Sequence, residues 1–243
     1  MIRPVRTRKI RKPVVPLTNL RSKKVEATAA RYRKITINVP DAPVSVAIPE
    51  TISFYIDTRF TTSQVNRLRT IIVTLLGFWN GHFTELNDGA QRSRYQNCVN
   101  QYARFNLSPV WLDEKIANGA AAAAVQMDGL TTMIAANGFG RAPKAYIKYQ
   151  KSGNFTIKGV NASNPELNSL SITVNASALS LTSVSTAFLT GSLHHAWLHR
   201  EGYRHPAGKF TSYFAGESSM CLMRGNSDKS PGTPVSAYTD WLD

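Results

Sequence analysis

A chain of 243 residues with 42% hydrophobic, 18% charged and 9% aromatic side chains has enough apolar material to bury one core or a small pair of cores, which excludes a disordered or fibrous polypeptide. Its formal net charge of +14 is concentrated at one end: residues 1–34 hold twelve of the 29 basic side chains but one of the 15 acids, leaving 17 basic against 14 acidic groups elsewhere. The body is therefore nearly neutral and lacks the charge pattern of a polyanion-binding face.

Residues 1–45 have no sustained periodicity and are punctuated by Pro4, Pro13, Pro16 and Pro40, so the sequence predicts an extended basic arm that orders only against something else. The longest apolar stretch near the start, Val14 to Leu17, is too short for a signal-peptide core, which favours an intracellular protein. An organelle transit peptide or a removable pro-segment fits the same Arg-rich composition. Ile52 to Ile56 reads as a strand, and Thr61 to Ser63 can cap a long core helix built on Val65, Leu68, Ile71, Ile72, Leu75 and Leu76. Its end is expected between Gly77 and Gly81, with His82 at the terminus.

A second helix over residues 91–105 gathers Tyr95, Cys98, Val99, Tyr102 and Phe105 on one face, so Cys98 is expected as a packed core thiol. With two cysteines, Cys98 and Cys221, a disulfide framework is excluded, one bridge stays open and a reducing compartment is favoured. Pro109 to Lys115 reads as a turn into an alanine-rich helix, Ala117 to Ala136, broken at Gly119 and Gly129. Residues 144–150, 155–160 and 170–174 alternate as strands do, and Ser183 to Thr186 can cap a helix running through Phe188, Leu189, Leu193, Trp197 and Leu198. No eighteen-residue apolar run occurs, so no membrane span is expected.

Four of the five histidines, His194, His195, His199 and His205, fall within twelve residues. On a helix, His195 and His199 stand one turn apart on the same face and can converge on a single cation. Gly202 permits a sharp reversal, after which His205 can return a third ring and leave the fourth position of a tetrahedral ion open, as catalytic zinc requires. His194 lies on a different face and is expected in solvent or behind the ligands. Tyr203 and Tyr213 are further candidates, either to approach the metal or its ligands or to stabilise an oxyanion.

This spacing resembles the metzincin metallopeptidases, whose signature is H-E-x-x-H-x-x-G-x-x-H followed by a Met-turn. His195, His199, Gly202 and His205 match it position by position, and Ser218 to Gly225 resembles the Met-turn, with Met223 the preferred methionine and Met220 the reserve. The resemblance implies a Zn2+ cofactor held by the three histidines and an extended peptide substrate along an edge strand within residues 144–175. Position 196, the family's general-base glutamate, is Ala196. Alanine cannot move the proton between water and leaving amine, a loss of roughly 10²–10⁴-fold in rate. Glu201 is no substitute, since five positions along a continuing helix it points about 140° away. Ala196 marks either an engineered change in an otherwise intact site or a natural pseudoenzyme.

The expected fold is α+β and metzincin-like: a mixed twisted sheet on long helices, with the active-site helix followed by a small C-terminal part. The expected divisions are an arm at 1–45 and a catalytic domain at 46–243, itself split into an upper part at 46–205 and a C-terminal part at 206–243. The expected activity is zinc-dependent endopeptidase, silenced here by Ala196, acting on a protein or peptide substrate. The alternative is a non-catalytic zinc-containing binding protein tethered through residues 1–34 to a partner, nucleic acid or an anionic surface. A nucleic-acid-associated structural protein with incidental histidines is a more distant third.

Overall fold

Within Thr51–Asp57, Ile52, Phe54 and Ile56 are buried while Thr51, Ser53 and Tyr55 are wholly or partly exposed, the period-two pattern of a strand with one face on a core. In the computed structural model, which describes residues 31–159 and 169–243, this strand (β2) is second in a five-stranded mixed sheet of order β1-β2-β3-β5-β4. β1 (Tyr32–Asn38) runs antiparallel to β2, and β3 (Ala145–Gln150) and β5 (Ile172–Asn175) continue the sheet in parallel. Among the described residues β4 (Ile157–Lys158) is the far edge, antiparallel to β5.

The described residues form seven helices: α1 (Thr62–Asn87), α2 (Arg94–Tyr102), α3 (Gly119–Gly138), α4 (Ala176–Ser180), α5 (Thr186–Glu201), α6 (Phe214–Met223) and α7 (Ser236–Thr239). The chain is thus α+β. Thr61 and Gln64 close a reciprocal capping box at the start of α1, whose expected apolar stripe is buried from Val65 to Leu76 and is extended by Trp79. None of the helices is long and apolar enough to cross a membrane.

Several expectations need correction. Residues 1–30 of the expected arm lie outside the described residues, but 32–38 form β1, because Ile35 and Ile37 alternate into the core once β2 supplies a pairing edge. Helix α1 continues through Gly77 and Gly81 to Asn87. Nothing lies within 4 Å of a Cβ at either glycine, so they cost helix propensity without forcing a turn. His82 is therefore inside the helix, 3% exposed, with its Nδ1 2.7 Å from Ser93 Oγ. Helix α3 starts at Gly119, capped by Asn118, and is not broken at Gly129.

Cys98 is not a free thiol. It forms a disulfide with Cys221 across 123 residues of sequence, with the Cα atoms 6.0 Å apart, so the cysteines give no support to a reducing compartment. The bridge joins α2 to α6. Helix α6 is buried along its whole length and packs on α5 and α2, so Phe214, Ala215, Cys221 and Leu222 belong to the common core.

Candidate metal centre

Helix α5 begins at Ser185, whose hydroxyl accepts from the Phe188 N–H, and is buried almost all round from Leu189 to Leu198, as an apolar helix at the centre of a domain must be. Trp197 stacks on Phe54 of β2, ring centroids 6.4 Å apart, and fixes the helix against the sheet. Helix spacing then sends His195 and His199 to the opposite side, together. Gly202 ends the helix with φ 102°, a left-handed cap that bulkier residues resist, and the Tyr203 N–H returns to the Leu198 carbonyl. The reversed chain brings His205 back over the first two rings.

The Nε2 atom of His195 lies 3.2 Å from that of His199 and 3.1 Å from that of His205. Three nitrogens bound to zinc at about 2.0–2.1 Å with tetrahedral angles stand roughly 3.3 Å apart, so the spacing fits. Each opposite ring nitrogen faces a main-chain carbonyl. His195 Nδ1 donates to Ala215 O at 3.1 Å, His199 Nδ1 to Tyr203 O at 2.9 Å, and His205 Nδ1 to Pro206 O at 3.0 Å. A carbonyl can only accept, so the ring hydrogens sit on Nδ1 and three Nε2 lone pairs point at one another. Burial holds the pKa of all three below the ordinary range, most strongly for His195, where the neighbouring imidazoles add to the effect. Unprotonated nitrogens at these distances repel unless a cation lies between them. Within the described residues these three side chains are the group that can hold a metal ion.

His199 and His205 border an open cleft of about 550 Å³ with Phe155, Lys158, Phe210, Leu242 and Asp243 on its walls, while His195 is buried behind them. Phe210 packs 5.8 Å from the His195 ring and 5.1 Å from that of His205, shielding one side from water. Edge strand β4 reaches α5 at Gly159, where any side chain would run into the Ala196 carbonyl and press on His199 Cβ. That close approach puts the outer edge of the sheet beside the histidines.

The other candidate residues separate. His194 is not in solvent. It is completely buried, its pKa pushed down to about 3 by burial, with Nδ1 3.4 Å from Ser219 Oγ. That hydroxyl donates to Ala215 O at 2.7 Å and lies 3.4 Å from His195 Nδ1, so His194 sits behind the ligand through Ser219. Tyr203 acts through its backbone, since its carbonyl holds His199 while its buried ring packs on Phe214 at 4.7 Å. Tyr213 packs on Phe105 at 5.5 Å.

The segment expected as a Met-turn is instead the second half of α6 followed by a turn at 224–226. Met223 packs against Gly191, one turn before His195 on α5, where even a methyl group would collide with its side chain. Ala196 is fully buried. Glu201, as expected, is turned away: its Oε1 accepts from Gln126 Nε2 at 3.0 Å, and burial raises its pKa well above the usual value. Its Oε2 sits against Gly129, which explains why α3 carries a glycine there.

Asp243, which no local pattern marks, is the site residue the sequence conceals. Its main-chain oxygen is 3.2 Å and its Oδ1 3.8 Å from His195 Nε2, and burial pushes its carboxyl pKa up to about 6. No protein-family model, curated protein or solved structure matches the chain, so these assignments rest on the geometry of the site itself.

Proposed function

We propose that the protein is a zinc-dependent endopeptidase of metzincin type, carried here in a catalytically silent form. The observation that carries this reading is the convergence of three deprotonated Nε2 atoms, each oriented by a main-chain acceptor, beside β4, the edge strand among the described residues. His195, His199 and His205 would hold the ion, which when bound supplies Lewis-acid polarisation of a carbonyl and a lowered pKa for water. The rest belongs to the chain. The outer edge of β4 offers main-chain groups to an extended peptide, Phe210 limits access of bulk water, and Lys158 carries a positive charge on the same wall.

The methyl group of Ala196 can neither accept a proton from water nor return one to a leaving amine, so turnover by this chain is very low. Zinc analysis near one ion per chain, abolished by His199→Ala, tests the centre. Cleavage of peptides by Ala196→Glu and not by the parent chain tests the reaction.

A second reading, a zinc-containing protein that binds without catalysis, is favoured by one observation: Ala196 is fully buried and Glu201 points away to Gln126. Full zinc occupancy without peptide cleavage in Ala196→Glu would select it. For the basic segment, salt-sensitive retention on DNA that disappears when residues 1–34 are deleted would identify a tether.

A further inference from the structure

We propose that residues 241–243 are a built-in plug lying where an extended peptide would bind, with the main-chain oxygen of Asp243 capping the open position of the metal centre. This proposal rests on the zinc reading above and deepens it. The segment leaves α7 with the Leu242 N–H on Thr239 O at 3.1 Å. It then meets the sheet edge: the Thr156 N–H donates to Trp241 O at 3.0 Å, and the Thr156 hydroxyl reaches the same oxygen at 3.3 Å. Residue 156 immediately precedes β4 and accepts at its own carbonyl from the Asn175 N–H at 2.9 Å, so the segment docks at the start of the edge strand. Leu242, 7% exposed, fills the wall of the cleft, and Asp243 follows over the histidines.

The main-chain oxygen of Asp243 has no ordinary hydrogen-bonding reason to be there, whereas the carboxylate is anchored by the main-chain N–H groups of Gly159 and of Asp243 itself. His195 has committed its ring hydrogen to Ala215, so its Nε2 has none to give the Asp243 main-chain oxygen 3.2 Å away. The Oδ1 atom, 3.8 Å from the same nitrogen, is buried without a hydrogen-bond partner among the described residues. A divalent cation relieves the conflict at the main-chain oxygen, whose separation of 3.2 Å from the nitrogen is close to the roughly 3.3 Å expected between neighbouring ligands of a tetrahedral zinc. The position needed by water and substrate is then filled by the chain itself. Because the plug is tethered, it competes at the effective concentration of an intramolecular group. Exchange of Asp243 for an outside ligand opens the site.

Cobalt-loaded protein titrated with acetohydroxamate, followed by visible absorption, tests this directly. A plug closed about nine-tenths of the time weakens apparent affinity for an outside ligand about tenfold. Asp243→Ala, which removes the carboxylate that anchors the segment, should therefore bind the hydroxamate about tenfold more tightly and show an altered cobalt spectrum before any addition. Leu242→Ser, which loosens the segment and keeps the carboxylate, should bind more tightly as well, so the test does not depend on one variant. Stoichiometric cobalt with hydroxamate affinity and spectrum unchanged in both variants overturns the plug and leaves the zinc centre standing. Failure of the parent chain to bind cobalt or zinc takes both down. In the Ala196→Glu background, Asp243→Ala should lower KM for peptides; a collapse of kcat would make Asp243 a proton carrier and overturn its role as plug.

Discussion

Replacing both Cys98 and Cys221 by alanine should destabilise the protein strongly and loosen the metal centre as well. The bridge closes a loop of 123 residues between α2 and α6. On the chain-entropy relation, a loop of that size restricts the unfolded ensemble by about 5 kcal/mol at 25 °C, and the usual shortfall of such bridges brings the expectation to about 3–5 kcal/mol. With a urea m-value of about 2–3 kcal/mol/M for a domain of this class, the unfolding midpoint should fall by about 1–2 M. Equilibrium unfolding followed by fluorescence of the four tryptophans measures it. The second effect follows from position. Helix α6 carries Ala215, whose carbonyl orients His195, and Ser219, which braces that carbonyl. Zinc affinity of the double variant should fall by about tenfold, the lower end for loss of an orienting group around a ligand. A midpoint loss equivalent to less than about 1 kcal/mol at unchanged m-value would refute the entropic argument. Unchanged zinc affinity would refute the coupling through α6.

Three further outcomes are expected. His199→Ala should reduce bound zinc from one ion per chain to a trace by elemental analysis, and added zinc should no longer raise its Tm. Gly191→Ala places a methyl group against Met223 and 2.8 Å from the Ser219 carbonyl, forcing α5 and α6 apart, and should cost about 1–3 kcal/mol in urea unfolding. Acidification should destabilise the fold through His82, whose pKa burial pushes down from 6.5 to about 4. A base with a depressed folded pKa binds fewer protons folded than unfolded. Its stabilising share is complete above pH 6.5 and is lost as pH falls toward 4, by about 2–3 kcal/mol. His82→Gln should flatten that part of the stability profile, and an identical slope in both proteins would count against it.

The parts of the site that obey a local rule were legible in the sequence. His195 and His199 share a helix face because they are four residues apart, and Gly202 supplies the reversal that returns His205, so the three-nitrogen cluster follows from spacing alone. The stripe from Val65 to Leu76 is buried as its period dictates. What was not legible depends on partners distant in the chain. β1 is a strand because β2 pairs with it, and no alternation over so few residues separates it from an arm. Gly77, Gly81 and Gly129 look like breaks in sequence, yet tertiary packing keeps their helices continuous, and at Gly129 the missing side chain makes room for Glu201. The apolar face that correctly buried Cys98 could not reveal Cys221 beside it. Asp243 reaches the histidines only through the docking of Trp241 on Thr156.

All three imidazoles are steered by main-chain oxygens, at residues 203, 206 and 215. The aim of the three nitrogens is therefore set by the path of the backbone and not by the chemistry of the side chains at those positions. Wall positions of the cleft, such as half-buried Lys158 and exposed Ala207, can change while the nitrogens stay aimed. The same economy has a weak point: a shift of a single turn or helix end at these positions would misalign the whole triad at once, with no side-chain substitution able to restore it.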